Sequence, residues 1–236
     1  MMTGQAWPHW QWITRLGEAG IVLPIAAALA VWFVVSARSV RPAWAWMLAF
    51  GVAGLITTAS KVAFIGWGIG IAAIDFTGFS GHAMFAAAVY PVFARALSEM
   101  ARPRGRRWIV AAGYAAAALV AASRVPVGAH SLSETLAGFS LGAAASASAL
   151  WLIGQPKLRL SVRWLALAIA GWLAVAPSHA SPSRTHDMVT RLALTLSQRS
   201  VPYRRADLHR QAPPARPAGA ATTSAADGLD GTHRRP

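Results

Sequence analysis

The chain has no cysteine and only eight acidic residues among 236. Without cysteine there can be no disulfide, no thiolate metal site and no thiol nucleophile, and the redox compartment leaves no trace. Charge is scarce altogether: 13% of residues are charged, against roughly a quarter in an ordinary soluble domain. Hydrophobic residues make up 55%, which excludes disorder for most of the chain. The charge that exists is one-sided, with 22 basic residues and a formal net charge of +14. Twenty of those are arginines, and they sit between apolar runs rather than along one groove-reading helix. Membrane topology explains them better than nucleic acid does, so no nucleic-acid partner is expected. The composition predicts an all-α, polytopic membrane helix bundle.

A spanning helix needs about 20 apolar residues. Six runs approach that length: Gly17–Ser36, Trp44–Ser60, Gly81–Leu97, Trp108–Ala122, Glu134–Ile153 and Arg163–Ala176. Four regions follow. Residues 1–16 form an interfacial segment anchored by Trp7, Trp10 and Trp12, without the basic leader of a cleavable signal. Residues 17–177 are the membrane domain. Within 178–210, Arg184–Arg199 reads as an amphipathic surface helix whose apolar residues include Met188, Leu192, Leu194 and Leu196. Residues 211–236, rich in Ala, Pro, Gly, Thr and Arg, read as a disordered tail.

Orientation comes from the loops. Those after the first, third and fifth runs hold ten basic residues: Arg38, Arg41, Arg95, Arg102, Arg104, Arg106, Arg107, Lys157, Arg159 and Arg163. The opposite face, the tail apart, has Arg15, Lys61 and Arg124. The positive-inside rule puts the first face in the cytoplasm.

On the sparsely charged face, ionisable residues gather at the ends of apolar runs. Lys61 ends the second, His82 opens the third, Arg124 ends the fourth, and His130 with Glu134 opens the fifth. Ionisable groups at membrane depth are costly and mark function by default. Two cations complement an anion with several oxygens, and a helix start at Ser80-Gly81-His82 adds free amides. One histidine can attack phosphorus while the other protonates the leaving oxygen. Glu134, four residues after His130, can fix the imidazole tautomer. Taken singly, Ser131 and Glu134 also fit a capping box, and Ser80 fits a plain N-cap. Asp75 pairs with Lys61 or caps a turn with Thr77 and Gly78, and His9, His179, His186, His209 and His233 read as surface residues.

Ser123-Arg124, five residues, His130, three residues and Glu134 resembles the S-R-x5-H-x3-D signature of the phosphatidic acid phosphatase type 2 and haloperoxidase superfamily. Phe79-Ser80-Gly81-His82 resembles its P-S-G-H motif, and Lys61 the lysine of K-x6-R-P. The resemblance covers about residues 55–155. It implies that His130 is the nucleophile of a phosphohistidine pathway, His82 the general acid, and Glu134 the group that orients His130. Lys61, Arg124, Ser80 and Gly81 would hold the phosphoryl oxygens, with no metal and no cofactor. The implied protein is a multi-pass inner-membrane hydrolase with its site facing the periplasm or outside. Its partners are membrane lipids and a lipid phosphate substrate: phosphatidic acid, phosphatidylglycerol phosphate or an isoprenyl diphosphate.

Three positions depart from the family pattern. Gly68 and Ile69 stand where it has Arg-Pro, Phe79 replaces proline, and Glu134 replaces aspartate. The lost arginine supports an alternative, a catalytically degenerate relative that binds phosphorylated lipid as scaffold or transporter. Which lipid, and which oligomeric state, are not written in the sequence.

Overall fold

A computed structural model describes residues 8–36, 40–153, 161–179 and 185–211. The loop residues Arg38, Lys157 and Arg159, the anchor residue Trp7 and the tail from 212 onward lie outside the described residues. Each of the six apolar runs folds as a helix. They are α2 (Ala19–Ser36), α3 (Arg41–Trp67), α4 (Gly81–Leu97), α5 (Pro103–Ser123), α6 (Leu132–Ile153) and α7 (Val162–His179), with a short α1 (Pro8–Arg15) ahead of them. Two further helices, α8 (Thr185–Ser197) and α9 (Arg205–Gln211), follow the membrane domain. The protein is an all-α membrane helix bundle. Among the described residues, three segments are long and apolar enough to cross a membrane by themselves: Pro8–Ser36, Ala43–Trp67 and Leu132–Leu152.

Composition explains the arrangement. The central helix is α4, contacted by α2, α3, α5, α6 and α7. Its Ala83, Met84, Ala86, Ala87, Ala88, Val89 and Val92 are all fully buried. A helix enclosed on every side must be thin, and alanine gives close approach without side-chain entropy loss. Glycines on its neighbours bring the backbones closer still. A Cβ on Gly142 of α6 would stand 2.2 Å from the Met84 carbonyl, and one on Gly113 of α5 would stand 2.9 Å from the Tyr90 carbonyl. On the other side of α4, Trp46 is buried and donates its indole N–H to the Ala88 carbonyl at 3.1 Å. Its ring stacks on Phe50, which meets Phe85.

The structure departs from the sequence reading in the helix that carries Lys61. The second apolar run does not stop at Ser60. Its helix continues six residues past Lys61 to Trp67, so Lys61 lies within α3 rather than at its end. Gly68 ends it, with φ +71° and its N–H on the Phe64 carbonyl at 2.8 Å, the left-handed terminator for which glycine is best suited. Past the membrane domain, α8 packs on α3 through Ala193, which is fully buried with its carbonyl against Gly66. Met188, Leu192 and Leu196, apolar residues of the expected surface helix, are exposed at i, i+4 and i+8.

The close approach at Gly142 generates a test. Gly142→Ala should lower the melting temperature in detergent by several degrees, since overpacking a tight contact costs about 1–3 kcal/mol. Gly51→Ala, where an added Cβ meets nothing within 4 Å, should leave it unchanged or slightly raised. Equal melting temperatures would remove the close α4–α6 contact from the account.

Candidate active site

The ends of α3, α4, α5 and α6 converge, as expected, and a cavity of about 560 Å³ opens among them. Lys61, Gly81, His82, Arg124 and His130 line it, together with Thr57, Thr58 and Thr77. Its apolar wall includes Phe64, Ile65, Met84 and Phe85. Each side chain is delivered by a definite piece of backbone. Arg124 follows the last residue of α5, and its carbonyl accepts the N–H groups of Ala129 (3.1 Å) and His130 (3.3 Å). The loop therefore folds back on itself and returns His130 beside Arg124. The Arg124 guanidinium is tethered by Thr14 of α1.

The segment before α4 is tied to α3 next to Lys61. Ser60 Oγ accepts the Phe79 N–H at 3.1 Å, and Gly78, at φ +145°, lies so close that a Cβ would stand 3.3 Å from the Lys61 N. Ser80 N–H donates to the Glu134 carbonyl at 3.1 Å, joining two motifs 54 residues apart through their backbones. Gly138, one helical turn on in α6, has room for no side chain, since a Cβ would stand 2.4 Å from the Ser80 carbonyl. Ser80 Oγ does not cap the helix; it is buried, has no hydrogen-bond partner among the described residues, and Ser80 does not line the cavity. Gly81 does line it, and a Cβ there would stand 3.7 Å from Lys61 Nζ. The first amides of α4 have no intrahelical acceptors.

Glu134 is fully buried and takes no part in lining the cavity. Its carboxylate is instead a hub of acceptors. Oε2 meets His130 Nδ1 at 2.8 Å and accepts the Ser131 N–H at 3.2 Å. Ser131 Oγ accepts the Glu134 N–H in return at 3.3 Å, so the capping box and the histidine pair coexist. Oε1 accepts the N–H of Thr77 at 2.7 Å and the Thr77 hydroxyl.

The sequence reading missed the last partner. Arg205 of α9 places Nη2 at 2.8 Å from both oxygens of Glu134, and its Nη1 bonds the Asp75 carbonyl at 2.8 Å and the Asp75 carboxylate. His209 completes the clamp, its Nε2 at 2.8 Å from Asp75 Oδ1. Asp75 thus pairs with Arg205 and His209 rather than with Lys61, the first of its two expected roles, and His209 makes this bond while remaining exposed, as expected of a surface residue. Tyr203, Arg204 and Arg205 also line the cavity. No spacing rule could have found them, because Arg205 is 71 residues from Glu134 and 130 from Asp75.

Two electrostatic consequences lie outside the helical spans. Burial pushes the His130 imidazole below its ordinary value, against the raising influence of the Glu134 bond. Burial pushes the Asp75 carboxyl up, but bonds from Arg205 and His209 outweigh it and hold it below its ordinary range.

Comparison with known proteins bears on the same residues. A model of the PAP2 superfamily matches residues 73–158. A Klebsiella pneumoniae protein described as "Uncharacterized 22.5 kDa protein in cps region" is 38% identical over 209 residues, covering 86% of this chain and 99% of the relative. No solved structure matches.

The Asp75 clamp holds while Asp75 is ionised. Its contribution is complete above the ordinary aspartate value, about pH 4, and is lost as pH falls through the lower folded value. Resistance of the segment 185–211 to proteolysis in detergent should therefore be the same at pH 7 and pH 5. Asp75→Asn should expose the segment at pH 7; equal resistance would leave the clamp without effect.

Proposed function

The chain belongs to the PAP2 superfamily, whose members are phosphatases, and on that premise we propose that it hydrolyses a phosphate or diphosphate carried by a membrane lipid. The supporting observation is the His130–Glu134 pair beside Lys61, Arg124 and His82 in one cavity. With Nδ1–H held by the carboxylate, His130 presents the lone pair of Nε2. That nitrogen attacks phosphorus, forming a P–N bond as the ester P–O bond breaks, and His82 gives its proton to the leaving oxygen. Water then loses a proton to His82 while its oxygen attacks the phosphohistidine. The P–N bond breaks, phosphate leaves, and both histidines return to their starting states. Lys61, Arg124 and the Gly81 amide hold the phosphoryl oxygens; Ser80, buried outside the cavity lining, is not among these donors. The reaction in this scheme needs no metal.

Phe64, Ile65, Met84 and Phe85 suit the first carbons of a lipid chain. Phosphatidic acid, phosphatidylglycerol phosphate and isoprenyl diphosphates are the substrates to test. Gly68 and Ile69, at the places of Arg-Pro, favour the second reading, a binder without turnover.

Phosphate release by detergent-purified protein, with a chelator present, separates the two. His130→Ala should abolish release, and Glu134→Gln should reduce it at least about tenfold, the loss expected of one charged hydrogen bond. Because burial lowers His130, the imidazole stays neutral below its ordinary value of 6.5, and kcat/KM should hold past that pH before falling. Saturable lipid-phosphate binding by folded protein without release would select the binder. Unchanged release by His130→Ala would end the histidine mechanism.

The proposed location is the inner membrane, with the cavity toward the periplasm. Met100 and Leu132 are both exposed, at opposite ends of the bundle. In intact cells with a permeable outer membrane, Leu132→Cys should react with an impermeant thiol reagent and Met100→Cys should not. The reverse labelling would invert the orientation.

A further inference from the structure

The first motif lacks its arginine, and the structure accounts for the site it left. Position 68 is a left-handed helix terminator, a conformation unfavourable to arginine. The space beside it is filled as well, since a Cβ on Gly68 would stand 3.0 Å from the Tyr203 ring. Tyr203 N–H donates to the Ile65 carbonyl at 3.0 Å, and Leu208 is buried with Val62, Phe64, Ile65 and Ala193. The segment after α8 is therefore docked on the end of α3 by backbone and apolar contacts that add to the charged Asp75 clamp. Two residues beyond Tyr203 stands Arg205.

We infer that this C-terminal arm replaces the missing cation, with Arg205 acting as a positioning residue that holds Glu134 against His130. The inference rests on the phosphatase reading of the same cavity. Its chemistry follows from the burial of Glu134. A carboxylate without solvent needs a counter-charge, and its other neighbours are neutral donors and the imidazole. Were His130 the sole cationic partner, ionised Glu134 would favour the imidazolium, whose Nε2 has no lone pair for attack. Arg205 supplies the charge permanently. Glu134 stays ionised, His130 stays neutral, and the ring is still oriented. The cavity also gains Arg205 as a cation beside Lys61, Arg124 and Arg204.

The test reads His130 itself. The groups that face it are Glu134 from α6, Lys61 from α3, Arg124 from the end of α5, His82 from α4 and Arg205 through Glu134, with His186 of α8 on the same cavity wall. Imidazole titration by 15N NMR, on full-length protein in detergent with His130→Gln for assignment, should show the His130 pKa rising by about one unit in Arg205→Gln. Arg204→Gln, which removes a cation from the same arm without touching Glu134, should shift it less than half as far. In turnover, Arg205→Gln should lower kcat/KM about ten- to a hundredfold, with most of the loss in kcat and the acid limb of the pH profile moved upward. Arg205→Lys should recover part of it. An unmoved His130 pKa, or equal shifts in the two glutamine variants, overturns the role of Arg205. Absence of phosphate release from wild-type protein overturns the hydrolase reading instead, and the NMR titration still decides whether Arg205 controls His130.

Discussion

A carboxylate with no exposure to solvent must be surrounded by donors, and at Glu134 those donors come from three separate stretches of chain. His130 and Ser131 approach from the loop before α6, Thr77 from the segment before α4, and Arg205 from the far end of the protein. Its backbone carbonyl also takes the Ser80 N–H. The direction of His130, the start of α4 and the docking of the arm are thereby fixed against one another. Removing this one side chain would leave several buried groups unpaired together, which is why its neighbourhood behaves as a unit rather than as a set of contacts.

Small residues make that convergence reachable. Inside lipid, helices gain nothing from hiding apolar surface, so their association depends on close packing and polar links. Alanines along α4 and the glycines of α5 and α6 facing it allow backbone contact, and Gly138 brings α6 against Ser80 at the level of the cavity. The histidines sit at the mouth of a bundle whose interior is dense with alanine. Little room remains for the helix ends to shift.

Much of this was legible in the sequence because apolar runs stop where a helix must stop. The run Gly81–Leu97 coincides with α4, preceded by Ser80, and Pro103 opens α5 where its missing N–H costs nothing. The convergence of His82, Arg124 and His130 could be read because each stands beside a helix end. Lys61 itself misled: a charge within an apolar run looks like a boundary, whereas the helix runs on to a glycine terminator. Arg205, Asp75 and His209 were hidden for a different reason. Their pairing depends on tertiary docking of α8 and α9, and helix periodicity carries no information about partners more than a hundred residues away.

The portion matched by the family model runs from 73 to 158, and three of the four cavity cations fall outside it, Lys61 before and Arg204 and Arg205 after. The shared region therefore carries both histidines but only Arg124 of the positive charge. Relatives aligned over that stretch alone will look alike in their reacting groups and differ, unseen, in the electrostatics that set how those groups behave. The smallest portable unit is correspondingly large: a core excised at the family's borders would keep both histidines and lose most of the cavity's positive charge.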